Sequence, residues 1–117
     1  MTPEQIDELE PGRELDALIA EHVLGFALPF KGRGEFDTFD ANGKPVLNYS
    51  TDIAAAWRAL DRLRVIDFRH VTLEMAGGCW RCDISPYNQS ETFSAPGYSA
   101  PLSICRAALK AIAHQPS

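Results

Sequence analysis

Residues 70–84, with the sequence HVTLEMAGGCWRCDI, predict a β-hairpin. Apolar side chains alternate along both arms: Val71, Leu73 and Met75 before the glycine pair, and Trp80, Cys82 and Ile84 after it. A two-residue loop at Gly77-Gly78 sets these two groups opposite each other on one buried face, with Met75 facing Trp80. The same register places Glu74 opposite Arg81. Because both faces agree on one pairing, a hairpin at about residues 67–85 anchors the predicted fold.

The residues before the hairpin predict three helices of different length. Thr2-Pro3-Glu4-Gln5 has the pattern of a capping box and starts a short helix that should end at Pro11-Gly12. An amphipathic helix follows and should stop at Gly25. Residues 52–64 form the next predicted helix, whose apolar stripe consists of Ile53, Trp57, Leu60 and Leu63.

The residues after the hairpin predict one more helix and a short strand. The helix should begin near Ser99-Ala100-Pro101, and one of its sides carries Leu102, Cys105, Leu109 and Ile112. A third strand is expected around residues 91–94. Residues 26–49 lack sustained periodicity and are predicted to be an extended loop. The fold class is therefore α+β, with three main helices packed on a small antiparallel sheet.

Composition and charge restrict the function classes. With 117 residues and 45% hydrophobic content, residues 1–117 fit a single domain. No apolar run reaches the length of a membrane span and the first residues do not resemble a secretory signal, so we expect a cytoplasmic protein that does not enter membranes. The net charge of −5 is concentrated at one end, because residues 1–22 contain seven carboxylates and a single Lys or Arg, Arg13. This distribution argues against nucleic-acid binding and allows a basic protein partner.

No catalytic or metal-binding motif in the sequence has both the required residues and a suitable structural context. Cys79 and Cys82 have a Cys-x-x-Cys spacing, but residues three apart on a strand point to opposite faces. The three histidines show no ligand spacing with the cysteines, and no nucleophile motif is present. We therefore expect no metal, no cofactor and no enzyme activity, and we expect Cys82 and Cys105 to be core residues.

One polar cluster could bind a small anionic ligand if the ends of the predicted helices meet. Helix N-termini attract anions, and these ends carry both arginines and hydroxyl groups. The alternative is that the same side chains cap the helices and pair with each other. The cluster consists of Arg13, Asp16, Tyr49, Ser50, Thr51, Asp52 and Arg106.

Three segments together resemble the phage ABA sandwich domain family of small phage and prophage proteins. They are PGRELDALIAE at residues 11–21, YSTDIAAAW at residues 49–57 and APLSICRAAL at residues 100–109. The resemblance implies a three-layer α-β-α sandwich and no assigned enzyme activity. The sequence departs from the family pattern in the loops at residues 26–47 and 86–98. These loops carry aromatic side chains that we expect to contact a partner, namely Phe30, Phe36, Phe39 and Tyr87.

The sequence and the resemblance together favour a non-enzymatic phage accessory protein that binds a host protein, for instance as an inhibitor of antiviral defence. One alternative is a protein that binds or sequesters a small nucleotide signal through the polar cluster. A second alternative is a structural phage protein. The chain could be a monomer, or a homodimer if an edge strand of its sheet pairs with a second copy.

Overall fold

The computed structural model describes residues 2–25, 46–66, 68–86 and 92–113. It contains helices α1 (Pro3–Asp7), α2 (Arg13–Leu18), α3 (Ile53–Ile66) and α4 (Ala100–Ala113). A π-helical segment, Ile19–Val23, continues α2. The sheet contains strands β1 (Phe68–Ala76), β2 (Cys79–Pro86) and β3 (Phe93–Gly97), in the antiparallel order β1-β2-β3. The predicted α+β class is confirmed.

The hairpin has the predicted register. Met75 pairs with Trp80, Leu73 with Cys82 and Val71 with Ile84. Gly77 and Gly78 both have positive φ, as a two-residue type I′ loop requires. The prediction that this whole face is buried was wrong at Met75, whose side chain is 62% exposed. The reason is that α4 packs on β2 and β3, whereas β1 extends beyond it and is covered only in part by α3.

Helix α4 lies at the centre of the molecule. Residues 101–109 and Ala111 are all buried, because α4 contacts the sheet, α3, α1 and the π segment on its different sides. The described helices cover one face of the sheet, and the other face carries exposed polar residues such as Thr72, Glu74 and Arg81. Gly97 allows β3 and α4 to approach closely, since a Cβ there would lie 2.7 Å from the backbone nitrogen of Ser103.

Helix α3 spans nearly the predicted residues but buries a different face. Leu60 and Leu63 are buried as expected, whereas Ile53 and Trp57 are 41% and 51% exposed. The prediction placed both in the core and was wrong. The buried positions on the same side as Leu60 are instead small residues, which let α3 pack closely on α4. They are Ala55, Ala56 and Ala59.

The remaining predicted boundaries agree in part. The capping box of α1 is present, with Gln5 N donating to Thr2 Oγ1 and Thr2 N donating to Gln5 Oε1. However, α1 ends at Asp7 rather than at Pro11-Gly12. The third strand exists but lies at residues 93–97 rather than 91–94. Among the described residues, no helix is long and apolar enough to cross a membrane.

Candidate functional site

The structure joins two members of the predicted polar cluster in a buried hydrogen-bond network. Asp16 Oδ1 accepts hydrogen bonds from Ser50 N at 2.8 Å and from Ser50 Oγ at 2.7 Å. Ser50 Oγ in turn accepts one from Gly12 N at 2.9 Å. Burial raises the pKa of the Asp16 carboxyl above its ordinary value, against the hydrogen bonds from Ser50 and the charge of Arg13, which lower it. This network fixes the start of α2 to the turn that precedes α3.

Arg106 uses its guanidinium to hold main-chain carbonyls. Its Nε and Nη2 donate to Leu9 O at 3.1 and 2.8 Å, and its Nη1 donates to Pro96 O at 2.9 Å. The residue is 8% exposed. Arg106 therefore ties the segment after α1, and the end of β3, to the central helix.

The other cluster members lie closer to solvent or in the core. Asp52 caps α3, because its Oδ1 accepts from Ala54 N at 3.0 Å. Thr51 and Arg13 are exposed, and Tyr49 is buried at 1% exposure. Capping and internal pairing, the alternative stated above, therefore describe the observed contacts of Asp16, Ser50 and Asp52. Anion binding by this cluster stays a prediction, and the aromatic set Phe30, Phe36, Phe39 and Tyr87 lies outside the described residues.

The cysteines behave as the strand geometry predicts. Cys82 is buried in the core and Cys79 is exposed, since they lie on opposite faces of β2. Burial raises the pKa of Cys82 to about 12 and raises that of Cys105 further. Thiols held in this way are poor nucleophiles at neutral pH. The described part of the chain contains no group of three or more His, Cys, Asp or Glu residues suited to hold a metal ion.

An apolar groove that the sequence analysis did not identify opens beside α1. It has a volume of about 360 Å³ and is formed by α1, the π segment and the end of α4. A second, smaller depression of about 260 Å³ lies against the same short helix and shares two of its residues, Ile6 and Ala113. The groove is lined by Ile6, Leu18, His22, Leu109, Ile112 and Ala113.

The π segment and the charged residues of α1 and of the residues after it determine the surroundings of this groove. The π segment carries one extra residue per turn, a distortion that often occurs at functional sites, and it brings His22 to the groove. Lys110 fixes α1, because its Nζ lies 2.8 Å from Asp7 Oδ1 and donates to Ser94 O. Helix α1 and the residues after it expose carboxylates, namely Glu4, Glu8, Glu10 and Glu14. The result is an apolar groove beside an acidic surface.

Comparison with known proteins shows the family. The family model of the phage ABA sandwich domain matches residues 17–109. The chain belongs to this family. Its structure is also similar to that of a phage protein from Bacillus cereus ATCC 14579, with a TM-score of 0.62 and 19% sequence identity over 86% of this chain and 90% of that one. This second similarity concerns the fold alone. No curated protein matches the sequence.

The groove lies partly inside and partly outside the residues that match the ABA sandwich family. Leu18, His22 and Leu109 lie within residues 17–109, whereas Ile6 and α1 lie before it. Helix α1 therefore lies outside the matched residues, and its Ile6 completes one wall of the groove.

Proposed function

We propose that this member of the ABA sandwich family is a small, non-enzymatic phage accessory protein that binds a host protein in the groove beside α1. A component of antiviral defence is the expected class of target. The observation that carries the proposal is the apolar groove beside α1, together with the exposed carboxylates of Glu4 in α1 and of Glu8, Glu10 and Glu14 in the residues after it. Such a surface suits a partner that inserts one or two apolar side chains and flanks them with basic residues.

The chemistry of the described residues supports binding rather than catalysis. The buried thiols have raised pKa values, and the carboxyl of Asp16 is engaged by Ser50. Family membership supports a role in phage biology. Sequestration of a nucleotide signal by the polar cluster has less support, because all three donor atoms of Arg106 named above already bind carbonyls.

The test is affinity capture from the bacterial host with a groove variant. Ala113 is exposed at the end of α4, so Ala113→Arg should place a long cation in the groove without disturbing the core. Asn48→Arg adds the same charge at an exposed position that does not line the groove and is the matched control. We expect one host protein to be recovered at equal stoichiometry with the wild type and the control, and at least about tenfold less with Ala113→Arg.

Two outcomes contradict the proposal. Equal recovery of the host protein with Ala113→Arg excludes the groove as its binding site. A nucleotide extracted from the purified protein, together with a rise in melting temperature when that nucleotide is added back, favours the sequestration alternative. For a captured protein, raising the salt concentration should weaken binding, because the acidic surface contributes through long-range attraction.

A further inference from the structure

Within the described part of the chain, strand β1 forms an edge of the sheet that is unprotected in its central part. It is the longest strand, Phe68–Ala76, and among the described strands it pairs only with β2. The type I′ loop makes Ala76 and Cys79 a hydrogen-bonded pair, so alternate residues direct their N–H and C=O groups away from β2. The residues whose backbone N–H and C=O groups point away from β2 are Val71, Leu73 and Met75.

The opposite edge of the sheet differs from β1 in two protective features. Strand β3 has only five residues, and Pro96 within it has no N–H group to donate. Strand β1 has a register irregularity only at its start, between Phe68 and His70. From Val71 to Met75 it contains neither proline nor a bulge, and natural edge strands use such devices to prevent pairing with other chains.

Exposed apolar side chains concentrate near the same edge. Among the described residues, four large hydrophobic side chains are exposed, and three of them belong to α3 and β1: Ile53, Trp57 and Met75. Helix α3 ends at Ile66, β1 begins at Phe68, and the two elements pack together. Ile53 and Met75 each lie about 20 Å along their elements from this junction, so both are near the same end of the pair. A group of exposed apolar side chains of this kind is typical of an interaction site.

We propose that two copies of the chain pair through β1, antiparallel about Thr72, to form one six-stranded sheet. This register places Val71 opposite the partner's Leu73 on the apolar face, where α3 also lies. On the polar face it places His70 opposite the partner's Glu74, and Thr72 opposite the partner's Thr72. Each of these is a favourable cross-strand pair, and each occurs twice except the pair on the symmetry axis.

The register about Thr72 is preferred over the neighbouring one. Pairing about Leu73 would set Thr72 opposite the partner's Glu74, so the imidazole and the carboxylate would no longer face each other. A shift by a single residue would turn the apolar residues of one copy to the polar face of the other. The self-complementarity of His70 and Glu74 about Thr72 therefore selects both the occupant, a second copy of this chain, and its register.

A cysteine on the proposed axis tests the arrangement directly. In the chain carrying Cys79→Ser, which removes the exposed native thiol, Thr72→Cys should form a disulfide-linked dimer under mild oxidation. Directly opposite residues of this non-hydrogen-bonded pair have Cα atoms about 4.5 Å apart, which a disulfide can span. Asn48→Cys in the same background is exposed and lies outside β1, and it should remain a monomer on a non-reducing gel. Equal cross-linking of both variants would overturn the proposal.

Sedimentation equilibrium of the full chain gives an independent measure that needs no oxidation. The wild type and the control Asn48→Lys should dimerise alike, whereas Thr72→Lys, which sets two ammonium groups face to face, should raise the dissociation constant at least about tenfold. Glu74→Lys should weaken the dimer and the double variant H70E/E74K should recover it. A wild type that is monomeric at all concentrations, or a dimer indifferent to Thr72→Lys, refutes the arrangement. Circular dichroism of each variant confirms that it is folded.

Discussion

Helices α3 and α4 have the same length of 14 residues but opposite relations to solvent. Helix α4 is buried on all sides from Pro101 to Leu109, and its polar side chains Arg106 and Lys110 bind carbonyls of neighbouring elements. Helix α3 packs on one side only and exposes Ile53 and Trp57. Helix α4 therefore organises the fold, whereas the outer face of α3 is available for contacts with other molecules.

Removing the Arg106 guanidinium should have the largest effect on stability. Arg106→Met keeps most of the side-chain volume but deprives Leu9 O and Pro96 O of their donors. Because hydrogen bonds from a charged donor contribute more than those between neutral groups, we expect the free energy of unfolding to fall by about 3 kcal/mol. Urea denaturation measures it. The matched change Arg58→Met, at an exposed position of α3, should alter stability by less than about 0.5 kcal/mol.

If Arg58→Met lowers the free energy of unfolding as much as Arg106→Met does, α4 is no more important for the fold than α3, and the comparison of the two helices is contradicted.

A pair of alanine substitutions sharpens the same contrast with an intermediate effect. Ala108 on α4 has 0% exposure, so Ala108→Leu should force its neighbours apart and cost about 2 kcal/mol of unfolding free energy. Ala54 on α3 is exposed, and Ala54→Leu should cost less than about 0.5 kcal/mol because leucine has nearly the helix propensity of alanine. Thermal denaturation of both variants provides the measurement. A stable Ala108→Leu protein would show that α4 is loosely packed.

The smallest expected effect is a pH dependence that originates at Asp16, where α2 meets the start of α3. Its pKa is raised in the folded protein, so the folded state holds this proton more tightly than the unfolded state does. The stability gained in this way is present in acid and is lost as the pH rises through the raised pKa. Asp16→Asn retains an acceptor for Ser50 but does not titrate.

We therefore expect the stability of the wild type relative to Asp16→Asn to fall with rising pH, starting near the ordinary range of an aspartate and levelling off above the raised pKa. Urea unfolding of both proteins over a pH series measures this difference. A difference independent of pH would mean that Asp16 titrates as it does in the unfolded chain.

Local patterns predicted the elements whose signals are local. The hairpin register follows from strict alternation around Gly77-Gly78, and the capping box of α1 needs only neighbouring residues. The buried face of α3 could not be predicted in this way. Helical periodicity gives weight to large side chains such as Trp57, whereas the true contact uses alanines whose burial depends on where α4 lies.

The candidate site was predicted less completely than the fold. The sequence placed Asp16 and Ser50 near the starts of two helices that could meet, and the structure joins these two residues by hydrogen bonds. The partners of Arg106 are carbonyl groups, which every residue possesses, so no sequence pattern identifies them. The groove was missed because it depends on the π segment. Helical periodicity placed Ile112 on one side of α4, but the π segment, which brings His22 to the groove, has no signature in composition.

The central position of α4 also determines when the protein can fold during synthesis. The carbonyl of Leu9 accepts a hydrogen bond from Arg106, which is synthesised 97 residues later. Helices α2 and α3 and the hairpin also emerge from the ribosome before the helix on which they pack. Until α4 is made, their apolar faces have no common surface to cover them. The nascent chain should therefore remain open and sensitive to proteases until α4 has emerged, and then become resistant in a single step.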